Sequence, residues 1–556
     1  MAHADGKQIQ KTFERLVNDR LLLEQYWTEA FEYSYPVRGE SFSNKNGDPS
    51  SVALTAKKKQ SKIYDSTATD SVRLLASSLL SGLTPSHSQW FSLDIPNVPD
   101  NMIPRDAKQW LQFAAETLFS TIHGSNYNSE AFELFIDLTI GGMCGIFVDF
   151  DEDGFKFEHW PLHSLYCQDL LGHNRIDTIY RKVVMTTREA IEKFGEANVP
   201  EEVIEAFRQD PWCSKKHAFI HTIRPRLNNG KQSRGKLKQN MPWESVYVCA
   251  KTGEIVEESG FQEMPVVVPR WFGIPGTDYA LGPLNEALPD VKTLNRVVEM
   301  ILTNGEMAIA GTFVAKDDGV FNPNTVRIGP RRVIMVAEPD NIKPLASGGN
   351  FNIAQAEITR LQSQIKRVMM SDQLAPTERG NMTATEVTTR TQIIRQILSP
   401  ALARLQSEFL EPLLNRCFGL AMRAGILGQP PESMAGLVFI PTYHSPIAKA
   451  QKMEMVQAMD QLEMSLTAMK QLDPEIVDLY DLEASLKKRA DLLGVPIECL
   501  KDERAVQMIR QARAQAQDQR NAQAQIPQLA SAMKNVGQSG DVGQDALMAM
   551  MGAVSG

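Results

Sequence analysis

Carboxylates at alternate positions followed by a glycine open a calcium-binding loop, and Asp149-Phe-Asp151-Glu-Asp153-Gly154 has that order. Such a loop needs a bidentate carboxylate at its twelfth position, and that position is Trp160. Strand-like text on both sides makes the segment a β-hairpin turn in preference to a metal site. His159, His163 and Cys167 recur every fourth residue, a spacing that would align three zinc ligands on a helix, but Pro161 opposes a helix there. Neither cluster makes a metal centre. No Gly-x-x-x-x-Gly-Lys-Ser/Thr phosphate loop, Gly-x-Gly-x-x-Gly turn, Gly-x-Ser-x-Gly elbow or His-Glu-x-x-His helix occurs. No local motif pairs a nucleophile with a base, so no catalytic residue is assigned, no cofactor is implied, and a packaging ATPase is disfavoured.

The remaining chemistry is that of cations. Arg379-Gly380-Asn381 stands between two helical stretches, where a loop could point a guanidinium and an amide at a phosphate backbone; a solvated turn using Gly380 for its backbone freedom is the plainer alternative. Arg331-Arg332, at the edge of a strand-like run, forms a second basic pair for DNA or a partner, with simple solvation as the alternative. The run Lys57-Lys58-Lys59 reads as part of a solvated loop.

Composition sets what these cations can do. The chain has 556 residues, 43% hydrophobic and 22% charged, a balance suited to several cores and to three or four domains. Its formal net charge of −9 opposes a protein that grips nucleic acid tightly and suits one past which a polyanion slides. The six cysteines are scattered and read as free thiols. No window has the apolar length of a membrane span, and the opening twenty residues are polar and lack the core of a signal peptide, so synthesis in the cytoplasm is expected.

Apolar spacing then places the elements. A helix with one buried face covers 7 to 35, using Phe13, Leu16, Leu21, Leu22, Leu23, Tyr26, Phe31 and Tyr35, and a loop follows from 37 to 60. Helices occupy about 64 to 82 and 105 to 122. Residues 145 to 275 are mixed α and β, with a hairpin at 145–159, strands near 179–185, 219–223, 244–250 and 266–271, and a long polar loop at 228–239. A helical stripe from Leu288 to Leu302 ends near Gly305; Thr312–Ala315 and Val333–Val336 are short strands in an insertion; Ile358 to Met369 is helical again. Ser371 to Asn381 has no stripe and reads as a loop, and Thr383-Ala-Thr-Glu386 is a capping box opening a long helix to about Ala424, kinked at Pro400 and Pro412. Met-, Gln- and Ala-rich helices return from 448 to 525, broken at Pro474 and at Gly494 to Pro496; their methionines, Met453, Met455, Met459, Met464 and Met469, read as helix packing, with a partner surface as the lesser alternative. The last thirty residues carry no firm core pattern.

This order resembles that of the portal, or head-to-tail connecting, proteins of podoviruses. The stretches that carry the resemblance are Leu79-Leu-Ser-Gly-Leu-Thr-Pro85 with Trp90-Phe91; Pro269-Arg-Trp-Phe-Gly273, Tyr279-Ala-Leu-Gly-Pro283 and Ala287 to Asn295; and Glu378-Arg-Gly-Asn-Met-Thr-Ala-Thr-Glu-Val387. The resemblance implies an α+β, mainly helical portal fold with wing, stem, clip and crown, assembling as a ring around a central channel. It implies a wing at 1–283, stem helices at 284–305 and 354–370, and a clip at 306–353 between them. A channel loop at 371–383, a kinked long helix returning to the wing at 384–445, a helical crown at 446–525 and a flexible tail at 526–556 complete the order. Arg379, Gly380 and Asn381 become DNA-facing, and Arg331 and Arg332 a basic clip surface. The implied partners are further copies of the chain, usually twelve, the terminase large subunit, a tail adaptor protein, major capsid and scaffolding proteins, and double-stranded DNA in the channel; no membrane is involved. The implied place is the portal vertex of the virion, with no enzymatic role. Two other classes are weighed: another phage structural protein of the tail or internal core, against which the insertion between paired helices argues, and a DNA-processing enzyme with a site assembled from distant residues.

Overall fold

The structure is a computed structural model, and it describes residues 5–43, 49–95, 103–172, 175–212, 214–228, 231–232, 237–310, 313–315, 342–344, 351–374, 400–434, 440–443, 446–469, 479–493, 495, 499, 501 and 505–520. It is mainly helical with several small sheets, and it divides into two compact units, Met1–Lys449 and Ala450–Gly556.

The first unit opens with four helices, α1 (Gly6–Glu32), α2 (Pro36–Ser43), α3 (Pro49–Gln60) and α4 (Thr67–Leu83). Asp5 caps α1 by accepting from the backbone N–H groups of Lys7 and Gln8. The loop expected from 37 to 60 is thus largely helical. Pro36 and Pro49 each stand at a first helical position, where the fixed φ is an advantage and the missing N–H costs nothing, so Pro36 starts a helix as well as ending the one before it. Lys59 is held by Glu32 and Glu40, which corrects the reading of the lysine run as wholly solvated. Leu21, Leu22 and Tyr26 lie exposed, off the buried face of α1 that Phe13, Leu16, Trp27 and Phe31 form.

Strand β1 (Phe91–Asp94) leads to α5 (Arg105–His123) and α6 (Tyr127–Gly141), then to the hairpin β2 (Gly145–Asp151) and β3 (Gly154–Trp160). The acidic residues 149–153 span the end of β2 and its turn, where Asp151 pairs with Gly154 at a φ of +117°. Helix α6 has no stripe to reveal it. Its residues from Leu134 to Gly141 are all buried, because α1, α4, β3 and the later helix α9 surround it.

Strands β4 (Leu165–Gln168), β5 (Thr178–Thr186), β6 (Lys216–Pro225), β9 (Trp243–Cys249) and β10 (Ile255–Phe261) form one antiparallel sheet in the order β10-β9-β6-β5-β4. Alternation along its strands sends Tyr180, Ile220, Val246 and Val248 to a core shared with Ile9, Phe13 and Leu16 of α1. The opposite face sends Phe219 and Cys249 to α7 (Thr187–Phe194) and α8 (Glu201–Gln209). The polar stretch 228–239 contains a two-rung pairing, β7 (Leu227–Asn228) with β8 (Lys231–Gln232), and a turn at Lys238–Asn240, so it is not wholly a loop. Strand β11 (Val266–Val267) joins β2, and β12 (Phe272–Gly273) pairs with β13 (Ala280–Leu281).

Helix α9 (Pro283–Ala310) extends beyond the expected stop at Gly305. Strand β14 (Phe313–Ala315) pairs antiparallel with β15 (Ile342–Pro344), and α10 (Phe351–Val368) packs on α9 before the single turn α11 (Ser371–Leu374). The first four residues of the expected loop 371–381 are therefore helical. The Val333–Val336 run, the capping box and the last thirty residues lie outside the described residues. Residues 400–405 are helical, a π turn covers Gln406–Leu410, and α12 (Glu411–Ala424) carries the helix past Pro412, after which β16 (Ile440–Tyr443) pairs with β1.

The second unit contains most of α13 (Pro446–Met469), then α14 (Leu482–Leu493) and a helix at 505–520. Met453, Met455, Met464 and Met469 are exposed, so they do not pack within the chain as expected.

Three histidines, His221 buried and His123 and His163 partly buried, have imidazole pKa values pushed down by desolvation. Trp90 Nε1–H donates to His123 Nε2 at 3.1 Å, leaving His123 Nδ1–H for Asn128 and fixing the neutral form. His221 is stacked on Tyr247. Burial lowers His163 to about 4. Between that value and an unfolded pKa of about 6.5 the folded state binds fewer protons than the unfolded one, so stability falls as pH drops through this window. We expect wild type to lose about 2 kcal/mol more than His163→Asn between roughly pH 7 and pH 4.5 in denaturant titrations, and equal losses would remove His163 from the account.

Candidate functional site

Two segments distant in sequence converge on the α9–α10 pair. Val291 and Leu294 of α9 and Leu361 and Ile365 of α10 are buried in the main core. The short connection between α3 and α4 then clamps both helices. Asn295 of α9 donates to the Lys62 carbonyl at 2.9 Å and accepts from the Tyr64 N–H at 2.7 Å. Asp65 divides its carboxylate: one oxygen accepts from the Thr67 N–H at the start of α4, and the other from Gln362 of α10 at 2.9 Å. Ser371, at the start of α11, donates to Ser71 of α4 at 2.9 Å, and both are buried. Lys292 reaches Glu29 of α1.

The link from α10 to α11 passes through Met370, whose φ of +56° lies in the left-handed region. That conformation ends α10 abruptly and turns the chain into the segment that leads to Arg379. A β-branched residue is poorly tolerated there.

Elsewhere in the first unit a set of ion pairs, most of them with a buried arginine, joins distant segments. Arg270, in the Pro269–Gly273 stretch, donates to both carboxylate oxygens of Glu408 at 3.0 and 2.8 Å, with both side chains largely buried. Glu408 sits in the π turn, and Arg404 one turn earlier donates to the Trp271 carbonyl at 3.3 Å. The loop before β12 and the helix before Pro412 are thereby fixed to each other. On α12, buried Arg416 and exposed Arg423 converge on Glu263; burial would raise that carboxyl, but Arg423 and Arg416 outweigh it and hold it low. Arg20, fully buried, donates to the carbonyls of Leu162, His163 and Leu165 and to Glu24, and its guanidinium lies 3.8 Å from the Tyr166 ring centre.

The stretches singled out from the sequence fall in this framework. Trp90, Phe91, Trp271 and Tyr279 are buried, and Tyr279 meets Trp27 edge-on at 5.6 Å. Gly142 and Gly282 let β13 and the end of α6 approach closely: a Cβ on Gly282 would lie 2.5 Å from the Thr139 carbonyl oxygen. His159 lies 3.2 Å from buried Asp137; burial would raise that carboxyl, but His159 and Arg38 hold it low. His163 is in a 3-10 turn and Cys167 on β4, so the fourfold spacing is not on a helix. Among the described residues no cluster of three potential metal ligands occurs, and no helix is long and apolar enough to cross a membrane. Arg331, Arg332, Arg379, Gly380 and Asn381 lie outside the described residues. The ion pairs Arg270–Glu408, Arg416–Glu263 and Arg20–Glu24 were not singled out from the sequence; only the last has a local i,i+4 spacing that could have signalled it.

The family described as "Bacteriophage head to tail connecting protein" matches residues 6–500. The chain is 26% identical to the "Probable portal protein" of Bordetella phage BPP-1, over 99% of each chain. It is 27% identical to the "Portal protein" of Salmonella phage epsilon15, over all of this chain and 99% of the other. A chain in the solved neck of an empty GTA particle aligns at 12% identity with a TM-score of 0.36, covering 78% of this chain and 90% of that one.

Two stability outcomes follow. Glu408→Ala removes the bidentate carboxylate from a buried guanidinium and should cost about 3–5 kcal/mol, whereas Arg270→Met with Glu408→Met should cost much less. Urea unfolding of the three chains checks this, and a double variant as unstable as the single would refute it. At Met370, isoleucine should be about 1–2 kcal/mol less stable than leucine, since both are apolar and only isoleucine is β-branched; equal midpoints and slopes would show that the left-handed turn is not retained.

Proposed function

The chain belongs to the family of bacteriophage head to tail connecting proteins, and from that membership we propose that it is a portal subunit, one of a ring of copies through which the genome enters and leaves the capsid. The observation that carries the reading is the family match over residues 6–500, in an order of elements that includes two long helices packed side by side with a β pairing between them in sequence.

In this reading residues 284–305, within α9, and 354–370, mostly in α10, are the stem helices, 306–353 is the clip, and 1–283 is the wing. Residues 371–383 form the channel loop, 384–445 return to the wing, 446–525 form the crown and 526–556 the tail. The ring is twelvefold, formed by head-to-tail contacts between unlike patches whose rotation closes. Its clip, with Arg331 and Arg332, receives the terminase large subunit during packaging and a tail adaptor afterwards. Major capsid and scaffolding proteins surround the wing, and Arg379, Gly380 and Asn381 face the DNA. The subunit is a structural component of the virion at the portal vertex. ATP hydrolysis belongs to the terminase, and a chain of net charge −9 gives the polyanion a weakly binding wall.

End-on electron microscopy of the purified chain should show rings with a hole wide enough for duplex DNA; a compact closed oligomer without a pore would overturn the reading. Arg379→Ala should leave ring assembly intact while reducing packaging or retention of DNA in virions, and normal packaging by that variant would withdraw Arg379 from the channel.

A further inference from the structure

Helix α14 is held in the second unit by charge. On the side facing α13, Arg489 lies 3.1 Å from Asp460 and 2.8 Å from Glu463, so one guanidinium answers two carboxylates. Ser485 donates to Glu463 at 2.8 Å, and Tyr480 donates to Ser485 at 2.7 Å. Toward the helix at 505–520, Glu483 of α14 accepts from Arg510 at 2.8 Å. Lys487, one turn along α14, lies 3.7 Å from the same carboxylate. Both links are partly open to water: the side chains of Arg489 and Glu463 are 22% and 27% exposed, and those of Arg510 and Glu483 are 64% and 45% exposed.

Little apolar burial supports these links. Among the described residues of the second unit, Val456 and Ala490 are the buried apolar side chains, and neither belongs to a core cluster. The first unit, by contrast, buries Leu134, Phe135 and Leu138 of α6 and Val291 and Leu294 of α9 in one continuous core. Asp481 caps α14 by accepting from the backbone N–H groups of Glu483 and Ala484, both at 3.0 Å. Even so, a helix of 12 residues is marginal in water once its neighbours are gone. Exposed ion pairs weaken as the screening length falls from about 10 Å at 0.1 M salt to about 3 Å at 1 M, whereas apolar contacts do not depend on such screening. The two units therefore differ in what salt does to them.

We propose that α14 is a clasp worked by ionic strength: low salt holds it between α13 and the helix at 505–520, and high salt releases it while the first unit stays folded. The inference concerns a single chain and does not depend on the ring reading. Arg489 is the positioning residue, because without it Asp460 and Glu463 meet α14 as two like charges with no cation between them. The contacts that break, among Asp460, Glu463, Glu483, Arg489 and Arg510, all lie within the second unit, so release requires no rearrangement of α9 or α10. Opening exchanges ion pairs for hydration, a small free-energy difference that ions in solution can tip.

Hydrogen exchange of the full chain, read by mass spectrometry on peptides from α13, α14, α6 and α9, tests this at about 0.05 M and about 1 M sodium chloride. Exchange in α13 and α14 should be roughly fivefold faster at the higher salt, with α6 and α9 unchanged. Arg489→Gln should bring α13 and α14 to the faster rate at both salts. Glu463→Leu with Arg489→Leu should instead slow them and remove the salt effect, because an apolar replacement keeps the contact without the charge. Salt-independent exchange of α14 in the wild type, or Arg489→Gln matching the wild type at low salt, would overturn the clasp. Acceleration of α6 and α9 together with α14 would mean a general loosening of the chain and would overturn it as well. A double leucine variant as salt-sensitive as the wild type would overturn the assignment to Arg489.

Discussion

Helix α6 has no wet face over its second half, and most of the first unit is arranged by that constraint. A helix enclosed on every side must satisfy its polar groups within the protein. Asp137 is met by Arg38 of α2 and His159 of β3. Thr139 turns its hydroxyl back to the Phe135 carbonyl, and the Ile140 carbonyl accepts from Asn285 at the start of α9. The N-terminal helices, the hairpin and the long helix α9 are thus fixed relative to one another by the needs of a single buried element. The glycines at 142 and 282 permit the close approach that this enclosure requires.

The buried arginines extend the same principle outward. Arg20, Arg270 and Arg416 each lie in the interior and each joins parts of the chain more than a hundred residues apart. Such groups contribute little net stability compared with apolar replacements, but they strongly penalise any arrangement in which a partner is missing. They define one geometry of the framework that carries α9 and α10.

The periodic helices were legible because their stripes are one-sided, as at α4, α5, α9 and α10, and so was the 145–160 hairpin with its acidic turn. Helix α6 was hidden because enclosure removes the stripe, and α2 and α3 because proline was read as a stop and the lysine run as solvent-facing. The conspicuous stretches around Trp90, Arg270 and Tyr279 marked the family, and their role is packing: buried rings, a bidentate ion pair and a close backbone approach. The partners in the ion pairs, Glu263 and Glu408, were invisible because no local pattern links residues brought together only by the tertiary fold. The methionines of α13 were assigned to packing on spacing alone, and spacing does not reveal whether the neighbour belongs to the same chain.

The π turn at Gln406–Leu410 has a bearing on which changes of length the helix can take. A π turn is one residue more than the α-helix around it needs, so it advances every later side chain by about 100° relative to an uninterrupted helix. Removing one residue between Arg404 and Pro412 would restore a regular helix without a loop to absorb the change. A deletion ahead of position 408 would also swing its carboxylate away from Arg270, so the extra residue and the ion pair depend on each other.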